Sequence, residues 1–469
     1  MPTDHTTAPL QRIRRSWQAF GSAVLNTFSG SGSWSRSFRL FHGLTHPLQP
    51  STRTNPPRAR NASLNFERPA SRNYPLPTPC SVRLAGLFFL INTAFLGLRP
   101  AVLSAGPLEQ ARTLHDRLTG VPPSTAVLTA MAEDITNGNA MAAARRAMDH
   151  PLFYRTTLKN FAAPWSDPSQ STLTPLNDMT ATIIGMIRDD IPFNQVLSAD
   201  LIYIGAEGVV AAPYSFADNT HYEQLESQYV DLSDPGLLVG VAQSSLPGTP
   251  LQPGETAGVL TTRAFAAGFL SAGTNRRAVR FALLNFLCND LESLSDTSRP
   301  PDRVRQDVSR SPGGDSSVYL NYCVGCHAGL DALAGAFAYY DFDETTNRPV
   351  FTRDQVQPKY LINSNTFRPG YVTVDDSWIN PWRNGQNAAL GWSPGSGTGN
   401  GVKSFGEELA ATRAFAQCQS QRVFRFVCLR SPDSADDVAA ITRFTDVFIT
   451  NNYNMKRLFA EAAVYCMGP

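Results

Sequence analysis

The chain has 469 residues, of which 42% are hydrophobic and 17% charged, so it contains enough apolar side chains for a large core and is not disordered throughout. Its 40 basic and 39 acidic residues are unevenly distributed: residues 1–80 carry ten arginines and only two acids, a net charge of +8. The rest of the chain therefore carries −7, which excludes a nucleic-acid-binding protein that works through a basic body.

The N-terminal part resembles a leader. Residues 1–80 are rich in Ser, Arg, Pro and Asn, a composition typical of disorder. Next, Arg83 precedes a mostly apolar run at 84–98 and small residues at 104–106, the layout of a secretory signal peptide over 81–105. A run of 15 residues is short for a bilayer span of about 20, and an uncleaved anchor or a buried helix is the alternative.

A signal peptide belongs at the N-terminus, so one hypothesis is that translation starts near residue 80. An organellar transit peptide would also fit the Arg- and Ser-rich arm. The sequence predicts export to the periplasm or cell envelope, with membrane association only if 84–98 is retained. Cleavage near residue 105 would leave a mature chain with a net charge of −9.

The body is predicted to be mainly α, with a cytochrome c-like haem module embedded in a larger helical protein with long loops. Helical apolar spacing over 108–150 is broken at Pro122-Pro123, and that over 177–204 is broken before Pro192. Further helices are predicted at 275–294, 404–429, 438–449 and 454–466, with Ser434 as the N-cap of the third. The predicted regions are an N-terminal helical domain (106–250), a haem-binding region (251–350), a long loop region (351–403) and a C-terminal helical region (404–469).

One short motif carries specific chemistry. Cys323-Val-Gly-Cys326-His327 is a C-x-x-C-H sequence, the attachment site of a c-type haem. Two cysteines three positions apart can form thioethers with the porphyrin, and the adjacent histidine can bind the iron. A thioredoxin-like site would need a βαβ setting, and a zinc site would need further ligands at close spacing. A local disulfide is the third alternative.

Several stretches around the motif resemble the planctomycete-type cytochrome c domain proteins, an exported bacterial haem c family of unknown function. The matching stretches are Gly258–Phe265, Gly273–Arg280, Phe286–Cys288, Cys323–His327, Asp331–Leu333 and Phe337–Asp343, with weaker matches at Leu118–Pro123, Phe193–Asp200 and Arg422–Arg430. Relatives often have Pro where this chain has Ala332. The resemblance implies a helical protein with one covalent haem and no assigned substrate.

The sixth iron ligand is not evident from the sequence. Between His327 and Asn454 the chain has no Met and no His. His221 is the predicted distal ligand, with Met455 as the alternative, although a lone histidine is more often a hydrogen-bonded residue and Met455 lies on an apolar helical face. Other candidates are Met179, Met186 and Met467.

Four cysteines remain outside the leader and the motif: Cys288, Cys418, Cys428 and Cys466. If 404–429 is one helix, Cys418 and Cys428 lie about 15 Å apart and cannot be bridged to each other. Each would then pair with Cys288 or Cys466, or all four are free buried thiols.

The sequence thus predicts an exported mono-haem cytochrome that transfers electrons through haem c. The acidic body would favour a redox partner with a basic patch, and no nucleic acid is expected. One alternative is a haem enzyme, such as a peroxidase or oxygenase, with an open distal site. Another is a structural partner module in which the haem is secondary.

Overall fold

The computed structural model describes residues 105–271, 273–310, 314–361 and 370–468. The predicted leader 1–80 and signal peptide 81–105 lie outside these residues, apart from Ala105. The described residues all belong to one compact unit. The boundaries predicted at residues 250, 350 and 403 therefore divide regions of one core and do not mark separately packed domains.

The prediction of a mainly helical protein is confirmed. The helices of the described part are α1 Pro107–Thr119, α2 Thr125–Thr136, α3 Ala140–Met148, α4 Lys159–Ala162, α5 Asp178–Arg188, α6 Thr220–Ser227, α7 Arg263–Phe269, α8 Arg276–Leu287, α9 Leu291–Leu294, α10 Gln306–Ser309, α11 Ser316–Val318, α12 Val324–Ala334, α13 Gly401–Ala410, α14 Arg413–Cys428, α15 Ala435–Thr450 and α16 Met455–Cys466. Two π-helical turns, Phe153–Leu158 and Tyr319–Cys323, lead into α4 and α12.

The first and last helices share one core. Helix α16 packs against α3 and α14, while α1, α2 and α3 pack against one another. The contact is aromatic: the ring of Phe459 lies 5.4 Å from that of Phe153 and 5.3 Å from that of Phe161, in edge-to-face geometry. Such pairs add stabilisation beyond the burial of their surface.

The strands form three small antiparallel pairs. Strand β1 (Ile202–Gly205) pairs with β2 (Leu238–Val241), β3 (Tyr340–Asp343) with β4 (Arg348–Phe351), and β5 (Ser377–Ile379) with β6 (Thr398–Asn400). The predicted helical spacing over 177–204 is wrong at its C-terminal end, which forms a 3₁₀ turn and β1. The segment 205–257 contains α6 and β2.

Two predicted helices are interrupted. The helix predicted over 275–294 ends at Leu287, because Cys288 adopts a left-handed conformation with φ of 56°. The helix predicted over 404–429 is divided into α13 and α14, and the hydroxyl of Thr412 caps α14 by accepting the amide hydrogen of Phe415 at 3.0 Å. The Ser434 cap is confirmed, since its hydroxyl accepts the amide hydrogen of Asp437 at 3.1 Å.

Within the described residues, no helix is long and apolar enough to cross a membrane.

Candidate functional site

The C-x-x-C-H motif lies where a π-helical turn becomes helix α12. Cys323 ends the turn, and Cys326 and His327 lie on the first turn of α12. The helix packs closely on its neighbours because two glycines leave room. A Cβ on Gly325 would lie 2.3 Å from the hydroxyl of Ser295, and one on Gly329 would lie 2.1 Å from Trp382.

The imidazole of His327 is oriented by a carboxylate one helical turn further on. Its Nδ1 lies 2.9 Å from Oδ1 of Asp331. A carboxylate only accepts hydrogen bonds, so Nδ1 carries a proton and Nε2 is the ring nitrogen left to bind a metal. Among the described residues, Nε2 has no hydrogen-bond partner, and the side chain is 26% exposed.

Asp331 is itself held by Arg276, at the start of α8. The guanidinium donates two hydrogen bonds to the carboxylate, at 2.6 and 3.1 Å, and the Asp331 side chain is only 5% exposed. Burial raises the pKa of Asp331, but the hydrogen bond from His327 and the charge of Arg276 outweigh it, so the net pKa lies below the ordinary value. The carboxylate is therefore ionised near neutral pH.

Asp331 lies in one of the stretches that resemble the cytochrome c domain proteins, but its sequence position alone did not assign it a role. Its position four residues after His327 on a helix was the available signal, because side chains at i and i+4 lie on one face.

The two thiols of the motif are free and partly exposed, with no disulfide between them. The predicted alternative of a local bridge is therefore not what the structure forms. The Cys326 thiol lies 3.3 Å from the carbonyl oxygen of Leu291, which orients it toward α9. Burial raises the pKa of this thiol.

Apolar side chains surround the motif on its N-terminal side. Leu320 is 59% exposed and Tyr322 is 84% exposed, just before Cys323. The buried ring of Tyr319 lies 6.4 Å from the imidazole of His327, and its hydroxyl has no hydrogen-bond partner. Burial, with a smaller contribution from the charge of Asp331, raises the pKa of Tyr319 to about 12. This edge combines exposed apolar surface with one unpartnered buried hydroxyl.

Distant stretches that carry the family resemblance meet around the motif. Arg276 joins the stretch 273–280 to Asp331, while the amide nitrogen of Asn275 donates to the carbonyls of Phe337 at 2.8 Å and Tyr340 at 2.9 Å. The motif is thus supported by segments from both sides of it in the sequence.

Comparison with known proteins adds nothing to this site. No family model, curated protein or solved structure matches the chain.

The zinc and thioredoxin-like alternatives for the C-x-x-C-H motif each need particular surroundings. In the part of the chain that the structure describes, no group of three or more His, Cys, Asp and Glu side chains converges as a metal site. A zinc site needs such a group of protein ligands, whereas the iron of a haem is already bound by four porphyrin nitrogens and needs a single histidine from the protein. All strand pairs in the described ranges are antiparallel, so the βαβ setting of a thioredoxin-like site is not found there either.

His221 has a local structural role. It lies on α6 and is 4% exposed. Its Nε2 accepts the amide hydrogen of Gly205 at 2.9 Å, and its Nδ1 donates to the carbonyl of Ala212 at 2.7 Å. Both ring nitrogens are therefore engaged with backbone, and this arrangement does not support the predicted distal ligand.

The candidate methionines are also placed away from the motif. Met455 begins α16 and is 2% exposed in the core, while Met179 and Met186 are fully buried on α5. Helix α12 packs mainly on α8, α9, β5 and the turns at 335–337 and 381–383. None of α5, α6 and α16 is among these main neighbours of α12.

The four remaining cysteines form two disulfides. Cys288 pairs with Cys418, with 5.2 Å between the Cα atoms, and Cys428 pairs with Cys466, with 5.5 Å. Cys418 and Cys428 both lie on α14 and are not paired with each other, as their spacing predicted. The alternative of four free thiols is wrong.

Proposed function

We propose that the chain is an exported mono-haem c-type cytochrome that transfers single electrons. The observation that carries this proposal is the arrangement of His327, whose Nδ1 is fixed on a buried carboxylate while Nε2 is free. Ligating histidines in metalloproteins usually donate their second ring nitrogen to such a partner.

The residues present fit a covalently bound haem. Cys323 and Cys326 would hold it as thioethers through their two free thiols. His327 would bind the iron through Nε2, with its tautomer and ring direction set by Asp331. When bound, the haem iron supplies a reversible one-electron couple.

The surrounding residues have supporting roles. Arg276 neutralises the buried carboxylate of Asp331, and the ring of Tyr319 excludes water from one side of the imidazole. The exposed side chains of Leu320 and Tyr322 would gain from contact with an apolar macrocycle, since burial of apolar surface is favourable.

The two disulfides support the proposed location in the periplasm or cell envelope. Disulfides persist in oxidising compartments and are rare in the cytosol. Haem c is likewise joined to proteins outside the cytoplasmic membrane, so the two features are consistent with each other.

The proposed partner is a redox protein with a basic patch, because the chain after the leader is acidic. We expect the rate of electron exchange with such a partner to fall several-fold as ionic strength rises from about 0.01 to 0.15 M, over which the screening length falls from about 30 to 8 Å. Stopped-flow measurement over a salt series checks this. A rate independent of salt would contradict electrostatic steering.

A spectroscopic redox titration tests the function. We expect the protein, produced with a haem c maturation system, to show one reversible one-electron transition. A Cys323→Ala/Cys326→Ala variant serves as the control and should lose the covalent chromophore. A chain that matures without any redox-active chromophore would contradict the proposal.

A second candidate function is a haem enzyme with an open distal site. It is favoured by one observation: both ring nitrogens of His221, the predicted distal ligand, are bonded to backbone groups. Carbon monoxide added to the untreated reduced protein separates the two functions. A carrier with two axial ligands should leave the spectrum unchanged, whereas an open site should shift it at once.

A further inference from the structure

A second site lies where helices α8 and α14 meet the segment 160–172. A cavity of about 390 Å³ opens there, within the range that small-molecule sites occupy. Its walls are mostly apolar, and its lining contains no acidic side chain. The lining residues are Asn160, Phe161, Pro164, Thr172, Leu284, Cys288, Arg422, Arg425 and Phe426.

Arg422 is a half-buried cation without a counter-ion among the described residues. Its Nη2 donates to the carbonyl of Leu284 at 3.0 Å, and its guanidinium carbon lies 5.3 Å from the centre of the Trp165 ring. Its Nε is enclosed and has no hydrogen-bond partner. Neither Arg422 nor Arg425 forms an ion pair with any carboxylate that the structure describes.

The charge next to Arg422 is of the same sign. Burial lowers the pKa of Arg422 to about 10, and the neighbouring charge of Arg425 acts in the same direction. The nearby carboxylate of Asp167 is committed elsewhere, since it accepts hydrogen bonds from Ser169, Ser171 and Thr174. A buried charge is ordinarily paired, so the enclosed and unpaired Nε of Arg422, next to the exposed guanidinium of Arg425 in an otherwise acidic body, indicates a position for an anion.

A cavity of similar volume elsewhere provides a contrast. It is lined by Arg145, Lys456 and Arg457, but also by Asp149 and Asp190, and Lys456 lies 2.7 Å from the carboxylate of Asp190. Lys456 is therefore already compensated within the protein. The cavity at Arg422 lacks this compensation.

The other lining residues of the cavity favour an anion with an apolar body over an inorganic anion. The rings of Phe161 and Phe426 lie 5.5 Å apart in edge-to-face contact, and Leu284 adds aliphatic surface. Cys288 is held by its disulfide to Cys418, so α8 and α14 are joined covalently at this wall. Such a fixed wall needs little reorganisation on binding.

We propose that this cavity binds a small organic monocarboxylate, with the carboxylate at Arg422 and Arg425 and the apolar body against Phe161 and Phe426. The site is separate from the C-x-x-C-H motif. Guanidinium groups suit this ligand because they donate paired hydrogen bonds to carboxylate oxygens.

Calorimetric titration of the purified protein with benzoate tests the proposal. We expect benzoate to bind with one-to-one stoichiometry, inorganic phosphate to bind at least about tenfold more weakly because it lacks an apolar body, and the uncharged analogue benzamide not to bind. No binding of benzoate, or equal binding of benzamide or phosphate, would overturn the proposal.

Three variants complete the test. Arg425 is exposed and makes no hydrogen bond or ion pair with another described residue, so Arg425→Gln should fold normally and weaken benzoate binding about tenfold or more, the loss expected for one charged hydrogen bond. Arg422→Gln should abolish binding where circular dichroism shows a native fold. Arg443→Gln, at an exposed arginine on α15, should leave the affinity unchanged. Unaltered binding by Arg425→Gln also overturns the proposal.

Discussion

In the haem protein proposed above, replacing Asp331 with Asn should raise the reduction potential by about 60–120 mV. The ionised carboxylate accepts the proton-bearing nitrogen of His327, which makes the imidazole a stronger donor and favours the ferric state. A neutral amide removes that charge. Losing such a partner commonly costs 10–100-fold in metal affinity, and a tenfold difference between oxidation states corresponds to about 59 mV for one electron.

The measurement is a potentiometric titration of the holoprotein, with Asp341→Asn as the matched control. Asp341 also forms an ion pair, with Lys359 at 2.6 Å, but it lies on β3 and not on the motif helix. The control should lose an ion pair without moving the potential. If Asp331→Asn folds and binds haem with an unchanged potential, Asp331 is not a positioning residue for the iron ligand.

Replacing Cys288 and Cys418 together with Ser should lower the free energy of unfolding by about 5 kcal/mol, and replacing Cys428 and Cys466 by about 4 kcal/mol. The two bridges close segments of 130 and 38 residues, and a longer closed loop restricts the unfolded chain more. The stabilisation is large because a domain of this kind is stable by only about 5–15 kcal/mol in total. Denaturant titration of each double variant provides the values.

The two double variants also act as controls for each other, since each retains the other bridge. The order of the two losses in unfolding free energy is the more decisive part of the prediction, because it depends on loop length alone. A greater loss from the shorter loop would contradict the unfolded-state explanation, and wild-type stability in both variants under oxidising conditions would contradict the disulfides themselves.

The parts of the fold that could be predicted from sequence are those fixed by local patterns. Apolar spacing and the Pro122-Pro123 break gave α1, α2 and α3 in outline, and Ser434 marked the start of α15. The prediction that Cys418 and Cys428 do not pair with each other is also confirmed, because ten residues along one helix place two cysteines too far apart for a disulfide.

The parts that could not be predicted depend on contacts distant in sequence. Strand β1 forms because it pairs with β2, which lies more than thirty residues later in the chain. The helical apolar spacing before β1 continues into it, so no local signal marks where the strand begins. Helix α8 ends at a cysteine, a residue type that does not mark a helix end by itself. Tertiary context overrides propensity at both places.

The candidate site likewise has a part that can be predicted from the sequence and a part that depends on the folded chain. The C-x-x-C-H motif is visible in the sequence because its chemistry needs a fixed short spacing. The role of Asp331 depends on Arg276, which lies 55 residues earlier, and therefore appears only in the folded chain. The His221 prediction was made without knowledge of the folded contacts, and the structure shows both of its ring nitrogens bonded to backbone groups.

Mass spectrometry of the peptide that contains Cys323, Cys326 and His327, taken from exported protein, tests the central claim most directly. We predict a peptide heavier than its sequence by the mass of one haem, with neither cysteine available to an alkylating reagent under denaturing conditions. A peptide of unmodified mass, with both thiols alkylated, would contradict the account of this chain as a c-type cytochrome.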